Sequence, residues 1–315
     1  MNRPLQIGRI GGGGDAWQHL SAYVHSQRVS AVQLAETDEA IIQRLRHRFG
    51  IIKRVTADYR ELLSDPQITV VDICLPPQQQ EQAVQEALAA GKHVVCAAPF
   101  AATIAGGEAM IAAAKAADRR LLCVLYQRLI PAHVRVPQLL GGDGVGAPLF
   151  GSITVTTNEP VREAVFHASD LLSHWVGEVH GVTAVWAKDP EAALISLELG
   201  ERALAQITVL QKAEDQPPMA ERRLVGPQGS LLIRDNPEDE LPLLAMQGAD
   251  TMPLKVKLPP DVREFAIIAT IEHFLQCLMD NQPAPVTADD ALAALRVLLA
   301  AEAAAATGSR VALQA

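Results

Sequence analysis

No segment of this 315-residue chain is both long and apolar enough to span a bilayer. The most apolar long stretch, 289–306, carries Asp290, Arg296 and Glu302 and reads as an amphipathic Ala/Leu helix, so no membrane association is expected. Basic charge is in deficit as well: 27 Lys and Arg against 36 Asp and Glu leave a net charge of −9. Without a basic stripe to neutralise phosphates, nucleic acid is not the expected partner. Cysteine is scarce, and Cys74, Cys96, Cys123 and Cys277 each sit in an apolar run with no C-x-x-C pair and no zinc-ligand spacing. Buried reduced thiols, and no metal centre, are the expectation. The first strand begins within a few residues of Met1, which leaves no room for a secretory leader and points to a cytoplasmic protein. Serine-hydrolase elbows, His-Glu-x-x-His and Walker turns are missing too, as are internal repeats and low-complexity tails.

What the chain does have is a globular composition, 49% hydrophobic and 20% charged, and enough length for two domains. Its organising stretch is Gln6-Ile7-Gly8-Arg9-Ile10-Gly11-Gly12-Gly13-Gly14-Asp15-Ala16, a strand running into a glycine turn that opens a helix. Gly11, Gly13 and Ala16 spell G-x-G-x-x-A, in which the first glycine makes the tight turn and the second lets a pyrophosphate approach the backbone. The small third residue lets the helix pack on the strand, and the helix aims its free N–H groups at the ligand. A second apolar strand, 29–35, ends in Glu36, which lies 20 positions beyond Ala16, as a ribose-binding carboxylate should. That carboxylate accepts from ribose hydroxyls and repels a 2′-phosphate. No arginine follows directly, since Thr37 and Asp38 come next, so NAD is favoured over NADP. The alternative is a glycine-rich turn in an ordinary α/β protein.

Helix and strand then alternate: helix 38–48, a short helix at 59–63, strand 68–75, helix 78–90 closed by Gly91, strand 93–97, helix 103–117 and strand 120–125. This is a doubly wound parallel sheet. Pro76-Pro77 ends its strand at the carboxyl edge of that sheet, beside the nucleotide crevice. Gly11, Gly13, Gly14, Asp15, Ala16, Glu36, Pro76 and Ala97 are therefore the candidate cofactor-binding residues. Beyond 125 come helix 131–140, strand 149–157 and helix 162–176, then strands at 181–188, 193–199, 203–211, 221–225, 229–234 and 252–257. Runs of adjacent strands imply a large open, mostly antiparallel sheet with helices on one face. The polar stretch 212–221 reads as a mobile loop, and helices 261–280 and 288–306 close the chain, the second capped by Thr287. The fold class is α/β, with a nucleotide-binding domain over 1–125 and an α+β domain over 126–315.

With these residues laid out, the chain resembles the glucose-fructose oxidoreductase, inositol dehydrogenase and rhizopine-catabolism (Gfo/Idh/MocA) family over nearly its full length. The pieces are the Gly11-x-Gly13-x-x-Ala16 turn, Glu36, Thr69-Val70-Val71-Asp72-Ile73 running into Pro76-Pro77, and Ala90-Gly91-Lys92-His93-Val94-Val95-Cys96. Arg128-x-x-Pro131, Glu163-x-x-x-His167-x-x-Asp170-Leu171-Leu172 with Trp175 and Gly177, and the ending from Pro283 to Leu313 also fit. The resemblance implies an N-terminal Rossmann domain and a C-terminal sheet that mediates homodimers or homotetramers. It also implies hydride exchange between a nicotinamide and a sugar, polyol or similar small-molecule substrate. The family's Glu-Lys-Pro motif, whose lysine relays the substrate hydroxyl proton, reads Ala97-Ala98-Pro99 here. Such a relay is worth about 10² to 10⁴ in rate, and a methyl group cannot supply it. The glycine-rich loop that commonly precedes the second-domain motif is absent ahead of Glu163, which points to a remodelled substrate pocket.

Glu163, His167, Asp170 and His174 fall within roughly 40° of one another on one helix face. His167 and Glu163 match the family's Asp-x-x-x-His pair, where the histidine contacts substrate. With the lysine gone, His167 is the best remaining acid/base, with Glu163 to orient it. The alternative is a structural histidine in a degenerated pocket. As a metal site the four span roughly 16 Å of one helix, too far for a single ion, which leaves only a two- or three-ligand subset open, and Asp170 is expected to cap or pair within the helix. Tyr126 and His133 follow the last parallel strand, and Tyr126 is a further candidate proton donor. Arg128 is expected either at the site or in a surface or inter-domain ion pair. Two functions stay open: an NAD(P)-dependent oxidoreductase with a different proton relay, acting on a sugar, polyol, keto compound or imine, or a catalytically silent nucleotide-binding relative.

Overall fold

The computed structural model describes residues 4–14, 16–141, 144–189, 191–212, 219–236, 238–239, 241–247, 250–284 and 286–313, with Ala16 described by its backbone alone. The chain forms two compact units, Met1–Tyr126 with Glu264–Leu292, and Gln127–Arg263 with Ala293–Ala315.

The first unit alternates strand and helix: β1 (Leu5–Ile10), α1 (Ala16–His25), β2 (Val29–Ala35), α2 (Glu39–Arg48), β3 (Ile52–Thr56), α3 (Arg60–Ser64), β4 (Ile68–Ile73), α4 (Pro77–Ala89), β5 (His93–Cys96), α5 (Ile104–Ala117) and β6 (Leu121–Cys123). The six strands make a parallel sheet in the order β3-β2-β1-β4-β5-β6. The strand order reverses between β1 and β4, the place where such sheets open a crevice at their carboxyl ends. Ile7, Val32, Leu34, Val70, Val71, Val94 and Val95 are buried, as expected for parallel strands covered on both faces. Asp38 caps α2 by accepting from the Ala40 and Ile41 N–H groups, and Gly91 takes φ +75° just past the end of α4.

The second unit opens with a 3-10 turn (Tyr126–Leu129, its first residue still in the first unit), then α6 (Pro131–Leu140), β7 (Phe150–Thr157) and α7 (Val161–Val176). A meander follows: β8 (Val179–Lys188), β9 (Glu191–Leu199), β10 (Ala203–Gln211), β11 (Met219–Gly226), β12 (Gly229–Arg234), β13 (Leu243–Gln247) and β14 (Asp250–Leu254). Helices α8 (Val262–Met279) and α9 (Ala288–Thr307) and the short β15 (Val311–Ala312) end the chain. Nine strands form one sheet in the order β14-β13-β12-β11-β7-β10-β9-β8-β15, parallel at β7–β10 and antiparallel elsewhere. Burial alternates along β9: Ala193, Ile195, Leu197 and Leu199 lie inside, and Leu194, Ser196 and Glu198 outside. Helix α7 packs against β7, β9 and β10, and the opposite face of the sheet is exposed.

Several boundaries differ from the sequence reading. Strands β3, β13 and β15 are absent from the sequence reading, and the last pattern-based strand, 252–257, is in fact Asp250–Leu254. The expected mobile loop at 212–221 is strand from Met219 onward, while 213–218 lie outside the described residues. Thr287 caps α9 reciprocally with Asp290: the Asp290 N–H donates to Thr287 Oγ1, and the Thr287 N–H donates to Asp290 Oδ2. Among the described residues no helix is long and apolar enough to cross a membrane.

Candidate functional site

At the first glycine of the turn the neighbours leave room for nothing larger. Gly11 has φ +83°, and a Cβ there would lie 2.3 Å from the Cys74 carbonyl oxygen, so both conformation and space demand glycine. Its N–H donates to Ala35 O, which ties the turn to the end of β2. A Cβ on Gly13 would meet nothing within 4 Å, and Gly14 has φ +54°. Main chain therefore faces open space where α1 begins. Asp15, and the side chain of Ala16, lie outside the described residues.

Glu36 closes the other side of the turn. Its Oε2 accepts from the Gly12 N–H at 2.8 Å, and its Oε1 accepts from Thr37 N–H at 2.7 Å and Asp38 N–H at 3.0 Å. A cavity of about 410 Å³ opens beside the turn, lined by Gly12, Gly14, Trp17, Arg44, Leu45 and Arg48. Pro76 is the N-cap of α4 and follows Leu75, whose side chain lies 3.0 Å from where a Gly11 Cβ would be. Ala97 continues β5 on the same edge, its N–H donating to Ile73 O. Buried Gln80 holds the segment after it, donating to the carbonyls of Ala97, Phe100 and Pro99 at 2.9, 3.0 and 3.3 Å.

A charged cluster beneath the turn goes unseen in the sequence reading. Arg9 and Asp72 sit opposite one another on β1 and β4, both fully buried, with Arg9 Nη1 2.5 Å from Asp72 Oδ2. Arg9 Nε also donates to Gly11 O at 2.9 Å. His19 on α1 brings Nδ1 to 3.1 Å from Asp72 Oδ1 and 3.7 Å from Cys74 Sγ. Burial works against the imidazolium, but the Cys74 sulfur and the Asp72 carboxylate outweigh it and raise His19 to about 10. Burial likewise opposes ionised Asp72, yet Arg9 and His19 hold it at about 2. His19 Nδ1, an Asp72 oxygen and Cys74 Sγ lie within 4.8 Å of one another, a spacing a metal ion could use, but the guanidinium on Asp72 opposes a cation there. Cys96, Cys123 and Cys277 are buried as expected, whereas Cys74 is half-buried against His19. One signal was legible: an arginine and an aspartate inside two strands otherwise almost wholly apolar.

In the second unit, α7 does not present its four polar residues as one set. His174 is exposed, Glu163 half-buried, and His167 and Asp170 are each 1% exposed. Glu163 Oε1 accepts from Arg263 Nη2 at 3.1 Å, and Arg263 also pairs with Glu159. Burial pushes His167 down to about 3, so its imidazole is neutral at physiological pH. Asp170 lies mid-helix on α7. It receives Arg128 bidentately, Nε to Oδ2 at 3.0 Å and Nη2 to Oδ1 at 2.5 Å, a buried pair inside this unit. Tyr126 is buried at the start of the 3-10 turn. His133 locks that turn: Nδ1 donates to Gln127 O at 2.7 Å, and Nε2 lies 2.9 Å from Asp235 Oδ1, which also pairs with Arg222. Its ring meets Trp175 edge-on at 5.1 Å.

Comparison with known proteins fits this geometry. Residues 5–125 match the model described as the oxidoreductase family with an NAD-binding Rossmann fold, Gfo/Idh/MocA. This region is a Gfo/Idh/MocA dinucleotide-binding domain. The chain is 29% identical to an inositol 2-dehydrogenase of Acidothermus cellulolyticus over 58% of its own length and 57% of that protein's, so it spans less than two thirds of this relative. It is 24% identical to D-apiose dehydrogenase of Paraburkholderia graminis over 92% of its length and 84% of that protein's. A levoglucosan dehydrogenase solved with NADH shares the fold, with TM-score 0.85 over 99% of this chain and all of that one at 21% identity. The six-stranded parallel sheet and the large mixed sheet thus share the fold of that structure along the whole chain.

Proposed function

We propose that the chain is an NAD(P)-dependent oxidoreductase acting on a sugar, a polyol or a related small carbonyl or imine compound, with NAD(H) preferred through Glu36. The observation that carries this is the Gly11–Gly14 turn, bare main chain facing open space at the start of α1 with the Glu36 carboxylate against Gly12. Relatives named inositol 2-dehydrogenase and D-apiose dehydrogenase support the substrate class. A bound nicotinamide supplies or accepts the hydride. The protein's part is to hold the coenzyme and orient the substrate.

The proton relay is atypical, because Ala98 stands where a lysine would act. His167, kept neutral by burial, is a poor base at about 3 but a sound hydrogen-bond donor to a carbonyl or imine. Glu163 steadies the start of α7 through Arg263, and Tyr126 is the second candidate donor. The exposed sheet face carries Val185 (68% exposed) beside Leu194, and Leu204 (57%) beside Phe150, an apolar surface suited to a homodimer or homotetramer. Light scattering on purified protein tests the assembly.

Ala98 also favours a second reading, a silent relative that keeps the nucleotide as a ligand. Quenching of NADH fluorescence, followed by a turnover screen over sugars, polyols, keto compounds and imines, separates the two. Binding with turnover supports the enzyme, binding alone the silent relative, and no binding of either coenzyme removes both.

A further inference from the structure

The four cysteines are not equivalent. Cys96, Cys123 and Cys277 are buried, while Cys74, the residue directly after β4, is half-buried. Its neighbours set it apart as well. Cys74 Sγ lies 3.7 Å from Nδ1 of His19, in the first turn of α1. Burial opposes charge on that imidazole, but the Cys74 sulfur and the Asp72 carboxylate keep it protonated to about pH 10. Arg9 is a second cation within electrostatic reach of the sulfur. Positive charge beside a half-open sulfur is the setting in which a thiolate attacks an oxidant. The same cluster leaves a strong donor unused. Arg9 gives Nη1 to Asp72 and Nε to Gly11 O, but its Nη2 is buried with no acceptor among the described residues. Such a group is costly to leave unmatched, and an oxygen added to the sulfur of Cys74 is an acceptor of the kind it lacks.

We propose that Cys74 is a modification site, oxidised by a hydroperoxide to a sulfenic acid, and that the oxidised side chain weakens coenzyme binding at the turn above it. The second half rests on the dinucleotide reading; the first does not. With hydrogen peroxide as the oxidant, the thiol proton goes to solvent and the thiolate attacks one peroxide oxygen. An S–O bond forms and the O–O bond breaks. The sulfur gives up two electrons, the peroxide takes them, and the departing hydroxide leaves as water with a proton from the His19 imidazolium. Cys74 is tied to the turn in three ways. Its N–H donates to Ile10 O at 2.9 Å, its carbonyl oxygen is the atom beneath Gly11, and His19 belongs to the helix whose start faces the open space. An extra oxygen between Cys74 and His19 therefore shifts the floor of the turn or the first turn of α1.

The test treats the full chain with hydrogen peroxide, traps sulfenic acid with dimedone and locates the adduct by peptide mass spectrometry. Separate desalted samples are titrated with NADH before oxidation, after it, and after reduction with dithiothreitol. Expected are at least about tenfold more adduct on Cys74 than on Cys96, Cys123 or Cys277, and a fall of about tenfold or more in NADH affinity that dithiothreitol reverses. His19→Gln should form the Cys74 adduct about tenfold more slowly, and peroxide should leave the NADH affinity of Cys74→Ser where it was. No adduct on Cys74, adduct spread evenly over the four cysteines, or a native rate in His19→Gln overturns the modification site. Adduct on Cys74 with unchanged NADH affinity, or an equal loss in Cys74→Ser, overturns its coupling to the turn. Should the reduced native chain bind no NADH, the dinucleotide reading and the coupling fall together, and the adduct map alone upholds or overturns the modification site.

Discussion

Arg9 and Asp72 face each other from adjacent parallel strands with no exposed surface on either side chain, directly below the turn that Arg9 also holds through Gly11 O. A pair of this kind is costly to break from one side, because the survivor is left charged in an apolar interior. Asp72→Leu or Arg9→Met should each cost about 3–5 kcal/mol of stability, whereas the Arg9→Met, Asp72→Leu double variant should lose much less than the sum. Urea denaturation of the four proteins checks this. Additive losses would show that the two residues act independently.

This pair also marks what the sequence hides. The glycine turn and Glu36 are legible because their chemistry is local: a tight turn, a helix start and an acid a fixed distance on. Arg128 and Asp170 are both legible as motif members, yet their pairing is not, since 42 residues separate them and only the fold of the second unit joins them. A residue such as Arg9 reads as an interruption of a strand until the neighbouring strand is known. β3 fails for another reason: with the sequence Ile-Lys-Arg-Val-Thr at the edge of its sheet, it lacks the continuous apolar run that betrays β4.

His19 gives stability a pH dependence on the alkaline side. The unfolded chain releases this proton near 6.5, while the folded chain holds it to about 10. The contribution is therefore whole below pH 6.5 and disappears as pH rises through 10. Thermal unfolding between pH 6 and 10 should show a falling Tm for the native chain and a shallower fall for His19→Gln. A Tm that His19→Gln leaves with the same slope would show that the charge lies elsewhere.

His167 acts in the opposite sense. Burial holds it neutral down to about pH 3, whereas the unfolded chain takes up the proton near 6.5. Its share of stability is present above 6.5 and lost as pH falls from there toward 3. If its neutral ring donates a hydrogen bond to substrate, His167→Ala should lower kcat/KM by about 10- to 100-fold, with no titration attributable to it between pH 5 and 8 in the native profile. A native profile whose inflection near neutrality vanishes in His167→Ala would instead make it a titrating acid/base.

Ala98 tests the missing relay from the side of gain. A lysine at this half-buried position would supply the amine that the family resemblance implies here, and general acid–base help of that sort is worth about 10² to 10⁴ in rate. Ala98→Lys should therefore raise polyol oxidation with NAD while leaving imine or keto-compound reduction within about tenfold. Steady-state rates on both substrate classes measure it. An unchanged polyol rate, with the coenzyme still bound, would show that the second unit's site has diverged along with the motif.

Gly11 and Gly13 should separate folding from coenzyme binding, because the same added methyl meets different surroundings at the two positions. At Gly11 a Cβ collides with the Cys74 carbonyl at 2.3 Å, and φ +83° strains any other residue, so Gly11→Ala should destabilise the first unit whether or not coenzyme is present. At Gly13 a Cβ touches no protein atom within 4 Å, so Gly13→Ala should change the unfolding free energy by less than about 0.5 kcal/mol. The methyl would instead stand in the space that a diphosphate needs in order to reach the main chain. NADH affinity should then fall by about 100-fold or more, the consequence of removing two or more backbone hydrogen bonds to a charged group. Native-like affinity in a stable Gly13→Ala protein would mean that the diphosphate does not approach the chain at this glycine.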